Sequence, residues 1–144
     1  MKGSSQKFLE FGLLWLRVLM GLGIAIHGYN KIFVYGIGKF EESVRQLGFP
    51  LPLFFAWAGA LSEFVGGILL VLGLGTRIAA SFIFITMTVA AFVAHKSDPF
   101  SKKELALAYW VIASSLIFTG PGSFSLDRLI FHPKSNRSPQ TNLR

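Results

Sequence analysis

Four apolar runs, residues 8–26, 53–74, 78–94 and 105–119, take up most of this chain and limit what it can fold into. A helix that crosses the hydrocarbon core of a bilayer needs about 20 mostly apolar residues, and a shorter run such as 105–119 needs help from its flanks or from local thinning. The chain has 144 residues, of which 52% are hydrophobic and 15% charged, with a mean hydropathy of +0.55. A soluble domain of this size buries too little of its surface to hide that much apolar area. In lipid every backbone amide must be satisfied within the segment, so the runs are expected to be helices. The expected fold is an all-α integral membrane four-helix bundle, residues 1–131, followed by a basic, disordered tail, 132–144.

The connections carry their own signals. Lys2 and Lys7 precede the first run as they would in a signal peptide, but its length, the embedded Arg17 and the lack of a small-residue cleavage pattern mark a retained anchor. In GIGKFEESVRQLGFPLP, residues 36–52, Lys39, Glu42 and Arg45 recur at helical spacing opposite Phe40, Val44 and Leu47. That pattern predicts a short amphipathic helix at the bilayer surface, ended by Gly48 and Pro50. The turn LGLGTR is too tight for anything but antiparallel neighbours. Gly120, Pro121 and Gly122 stop the last run, after which Ser123 or Ser125 caps a final amphipathic turn.

With four spans, the side holding both termini carries seven cations and the opposite side six. This slim excess places the termini in the cytoplasm. The net charge of +7 sits at segment ends and in the tail, which reads as membrane topology and not as a nucleic-acid surface. Cysteine is absent, which excludes a thiol relay or thiolate metal site within the chain.

Two ionisable residues lie deep inside the runs. Arg17 is nine residues into the first and Glu63 ten into the second. At 1.5 Å per residue both fall roughly 13–15 Å from opposite faces, near the midplane of a core about 30 Å thick. The expectation is an Arg17–Glu63 ion pair, since an isolated charge there costs about 2.5–3.5 kcal/mol. Glu63 shares its helical face with Ala56, Gly59, Gly66 and Gly67, and Arg17 shares its face with Gly21 and Gly28, so both charges point toward protein. Such a pair either fixes helix register or floors a ligand cavity.

The same conversion sets His27 level with His95. Around them lie Tyr29, Lys31, Trp57, Lys96, Asp98, Glu104, Tyr109 and Trp110. These groups suit proton exchange near neutral pH and stacking on a flat ring, or simply an interfacial aromatic belt. No HExxH-like spacing supports a metal site, and no haem or metal is expected.

The ordered segments LRVLMGLGIAIHGYNKIF, LGFPLP, SEFVGGILLVLGLGTRIAA and TGPGSFSLDRLI resemble the DoxX family of small four-helix bacterial membrane proteins over about residues 8–131. The resemblance puts the family's recurrent positions on Arg17, His27, Gly28, Lys31, Glu63, Gly66, Gly67, Arg77, Gly120, Pro121, Gly122 and Asp127. It implies a bacterial cytoplasmic (inner) membrane location and a link to membrane redox and thiol-oxidant defence. The expected function is a subunit of a membrane redox system that holds a quinone or similar lipophilic ring, with Arg17, His27, Lys31, Trp57, Glu63, His95, Tyr109 and Trp110 as candidate ligand-binding residues. Without an electron carrier of its own, the chain would need a redox partner subunit or a diffusible reductant. The alternative is a non-enzymatic scaffold or lipid-binding protein with a structural Arg–Glu pair. Membrane lipids are the common partner of both readings, and a homo-oligomer is compatible with either.

Overall fold

In the computed structural model, which describes residues 2–131, every regular element is helical. The proposed tail at 132–144 lies outside the described residues. Helix α1 (Lys2–Tyr29) continues through a π-helical turn, Asn30–Val34, before the chain reverses at Gly36 into α2 (Ile37–Gln46). Helix α3 (Pro52–Leu72) opens on a proline, which suits a first turn because its missing N–H would go unbonded anyway. Helix α4 (Thr76–Thr88) likewise runs on through a π-helical turn, Val89–Ala94, and α5 (Phe100–Thr119) and α6 (Leu126–Phe131) complete the chain. Gly3–Val34, Pro52–Leu72 and Thr76–Ala94 are each long and apolar enough to cross a membrane. Helix α5 is also long, with Lys102, Lys103 and Glu104 crowded into its first turns.

The apolar residues are distributed inside out. Phe8, Trp15, Leu19, Leu22 and Ile26 on α1, and Ile78, Phe82, Ile85 and Phe92 at and beyond α4, face outward, whereas Arg17 and Glu63 are each 1% exposed. A surface this apolar around buried charges fits lipid as the solvent. The chain is a membrane protein. Met20, Ile24, Leu70, Ala80, Ile83, Met87, Ala113 and Leu116 form the core between α1, α3, α4 and α5.

Helices α1 and α3 share the most extensive contact, and small residues make it possible. A Cβ added at Gly28 would lie 2.7 Å from Cα of Phe64 and 2.8 Å from the Ala60 carbonyl oxygen, and one at Gly67 would lie 2.6 Å from the Gly21 carbonyl oxygen. These contacts set the axial register, with Gly21 beside Gly67 and Gly28 beside Ala60. Helix α2 packs on α3, with Val44 buried and Phe40 against Gly59.

Candidate functional site

The register decides which polar groups meet. Glu63 projects from the middle of α3 at the level of His27 and Gly28, and its Oε1 lies 2.6 Å from Nζ of Lys31. Lys31 belongs to the π-helical turn that extends α1, a distortion found often at functional positions. Its ammonium also sits 4.3 Å from the centre of the Phe40 ring, so α2 supplies a cation–π lid over the pair. The second carboxylate oxygen of Glu63, Oε2, is buried and has no hydrogen-bond partner among the described residues. Across from α3, the Tyr109 hydroxyl packs over Gly23 so closely that a Cβ there would overlap it. The Tyr109 ring meets His27 edge-on, 6.0 Å between centroids.

Arg17 is elsewhere. The pairing of Arg17 with Glu63 expected from depth does not form, because Arg17 lies beside Gly73 at the far end of α3. Ten residues of helix separate Gly73 from Glu63, about 15 Å. The first apolar run starts at residue 8, but α1 begins by Lys2 and extends to Tyr29, about 42 Å in 28 residues, so it overhangs a core of about 30 Å. Counting from residue 8 therefore puts Arg17 nearer Glu63 than the packing of α1 on α3 does.

At its actual level Arg17 clamps the segment after α5. Its two terminal nitrogens donate to the carbonyls of Pro121 and Phe124, and Asp127 supplies the nearby opposite charge. Asp127 turns both oxygens onto the start of α4, accepting from the N–H of Gly75 at 2.7 Å and of Thr76 at 3.0 Å, while its own N–H donates to the Gly73 carbonyl at 2.9 Å. It is an N-cap supplied from 51 residues away. Glu10 accepts from the N–H of Ser123. Gly73 is needed twice over, for its left-handed φ of 68° and because a Cβ would lie 2.7 Å from Ser125 and 2.8 Å from the Arg17 guanidinium. Glu10, which lies near the start of the first apolar run, is not among the residues singled out from the sequence.

Of the remaining candidates, His95 bonds Asp98 in its own loop, Nδ1 to Oδ2 at 2.7 Å. Trp110 stacks on Phe84 and donates from Nε1 to the Thr88 hydroxyl at 2.9 Å. Trp57 is exposed on α3. Arg77 lies over Gly120, and Gly66 faces Ile83. The structure thus pairs Lys31 with Glu63 and His27 with Tyr109, with Glu63 near enough to Tyr109 to act on it electrostatically, and leaves His95, Trp57 and Trp110 in separate settings. Among the described residues no group of three or more His, Asp or Glu side chains is arranged to hold a metal ion.

The DoxX family model matches residues 12–96, which include Arg17, His27, Lys31 and Glu63. The chain belongs to the DoxX family. CatD of Bacillus subtilis (strain 168), provisionally named an oxidoreductase, is 30% identical over 91% of this chain and 96% of its own length. The inner membrane protein YqjF of Escherichia coli (strain K12) is 32% identical over 87% of this chain and 96% of its own. The inner membrane protein YphA of the same organism is 30% identical over 87% of this chain and 99% of its own. No solved structure matches the chain. The match to the family model ends at residue 96, before both Tyr109 and the clamp segment 120–127.

Proposed function

We propose that this DoxX protein is a four-span bundle of α1, α3, α4 and α5, with α2 at the membrane surface and both termini cytoplasmic. In this reading it serves a membrane redox system by holding a quinone or similar lipophilic ring beside Glu63. The observation that carries the reading is Oε2 of Glu63, a buried acceptor without a partner among the described residues. A buried unpaired acceptor is costly, and a ligand with a hydroxyl donor relieves that cost. The phenolic hydroxyl of a reduced quinone has the right polarity, and its ring suits the Tyr109 and His27 surfaces. Lys31, and not Arg17, is the cation paired with the carboxylate. The name of CatD points toward oxidoreductase chemistry, and the inner-membrane names of YqjF and YphA toward the bacterial cytoplasmic membrane. With no cysteine in the chain, electrons would pass through a partner subunit or the diffusible ring itself.

One observation favours the scaffold reading for part of the molecule: both terminal nitrogens of Arg17 are bound within the chain, as a structural residue's would be. Extracted-lipid analysis and native mass spectrometry of protein purified in mild detergent separate the two readings. A stoichiometric quinone that is lost in Glu63→Gln supports the redox reading. Bulk phospholipid alone, or equal quinone in wild type and Glu63→Gln, overturns it and leaves the scaffold.

A further inference from the structure

At the end of the molecule away from Glu63, an open cleft of about 800 Å³ lies between the start of α4, the turn at Pro121 and Gly122, and α6. Four charged side chains line it: Glu10, Arg77, Asp127 and Arg128. Both acids are committed to backbone N–H groups, Glu10 to Ser123 and Asp127 to Gly75 and Thr76. The arginines are not so occupied. Among the described residues neither has a carboxylate within 4.0 Å. Arg77 donates to the Phe118 carbonyl at a long 3.4 Å, and Arg128 donates to the Ser123 hydroxyl. A guanidinium has five N–H donors, so most of each fork remains open.

The surroundings add positive charge. A second cleft of about 270 Å³ shares Glu10 and Arg128 and brings in Lys7, and Arg17 stands behind Asp127. Three cations, Arg77, Arg128 and Lys7, therefore line the two clefts beside two acids, Asp127 accepting on both oxygens and Glu10 on one. The walls supply the other half of the chemistry, since Ile78 and Phe131 are both exposed at the cleft. Arg77 sits in the first turn of α4, where the apolar helix begins, which sets the guanidinium at the boundary between water and hydrocarbon.

We propose that this cleft binds an anionic phospholipid. Arg77 and Arg128 hold the phosphate by paired N–H···O bonds, and Ile78 and Phe131 lie along the start of the acyl chains. A free phosphate would find the same donors but would leave the apolar walls uncovered, so the lipid is the occupant the site fits. The inference is independent of the ring site at Glu63, which lies at the level of Gly28, near the other end of α1.

Native mass spectrometry of the full chain, titrated in detergent with phosphatidylglycerol or phosphatidylcholine, tests it. One phosphatidylglycerol per chain is expected in preference to phosphatidylcholine, with a preference that falls as salt rises. Arg77→Gln with Arg128→Gln should weaken phosphatidylglycerol about 30-fold, at roughly a factor of five for each cation. Arg77→Lys with Arg128→Lys should keep most of the binding, and Lys102→Gln with Lys103→Gln or Glu63→Gln should keep all of it. Both arginines are exposed, so circular dichroism should report folded variants. Equal retention of the two lipids by wild type overturns the proposal without recourse to a variant. So does undiminished phosphatidylglycerol in the double glutamine variant. Displacement by inorganic phosphate at concentrations comparable to the lipid would assign the cleft to a soluble anion instead.

Discussion

Lys31 and Glu63 form an ion pair of 2.6 Å in which the partners are unequally buried, the lysine side chain 27% exposed and the glutamate 1%. The lysine can relax toward water and the carboxylate cannot. Removing Lys31 should therefore be worse than removing Glu63. Lys31→Met is expected to cost about 3 kcal/mol, the low end of the range for breaking a buried pair, because it strands the carboxylate. Lys31→Met combined with Glu63→Leu should recover most of that loss, since apolar side chains of similar size replace buried pairs at little cost. Reversible unfolding in mixed detergent micelles measures both variants and the Glu63→Leu single variant. A double variant no more stable than Lys31→Met would show that the pair is not the source of the effect.

Arg17 should behave as a clamp and not as a counter-ion for Glu63. Its two terminal nitrogens reach two carbonyls three residues apart, which a single ammonium cannot reproduce. Hydrogen bonds from a charged donor contribute about 1.5–3 kcal/mol each, so Arg17→Ala should be severely destabilising and Arg17→Lys should restore only part. The loss should appear first in the 120–128 segment, read as faster amide exchange there than near Glu63. A double-mutant cycle between Arg17 and Glu63 should give a coupling near zero, and a strong coupling would restore the pairing expected from depth.

The long apolar helices were legible because span length and hydropathy are averages over many residues, and Pro52 marks where α3 starts while Gly73 and Gly120 mark where α3 and α5 stop. Glu63 was legible for the same reason: one acid in an apolar run must point inward. Its partner was not. Partner choice depends on how far one helix slides along another, and that register comes from single-atom contacts such as Gly28 against the Ala60 carbonyl. A ten-residue slide exchanges Arg17 for the level of His27, and hydropathy is blind to it. Lys31 stands out as a candidate ligand-binding residue but not as the partner of Glu63, because the sequence does not announce that α1 runs on through a π-helical turn to Val34. The long-range cap by Asp127 was also invisible as geometry, although the DoxX resemblance had drawn attention to the residue.

The register of α1 on α3 depends on its glycines. At Gly28 and Gly67 an added methyl group meets backbone atoms of the facing helix, which cannot swing aside. At Gly66 it meets the end of the Ile83 side chain at 3.2 Å, which can. Gly28→Ala and Gly67→Ala should each cost about 1–3 kcal/mol by overpacking, whereas Gly66→Ala should cost less and gain from helix propensity. Thermal unfolding of the three variants ranks them. Equal effects at Gly66 and Gly67 would mean that the α1–α3 contact is not the tight one.

The loop between α4 and α5 should titrate in acid. The Asp98 carboxyl is held below the ordinary carboxylate value, chiefly by its hydrogen bond with His95, with desolvation opposing and the charges of Lys102, His95 and Lys103 assisting. A group whose value falls on folding stabilises the folded form at pH above its unfolded value, about 3.9 for aspartate. The contribution is lost as pH drops through the lowered folded value, so the loop contact should persist at neutral pH and release only in strong acid. Asp98→Asn should remove it at neutral pH, with a small effect on overall stability because the pair is exposed to solvent. Carboxyl-carbon NMR titration of Asp98 reads the midpoint directly. In His95→Ala that midpoint should rise toward the ordinary value, and an unchanged midpoint would show that the lysines, not the imidazole, hold the carboxylate ionised.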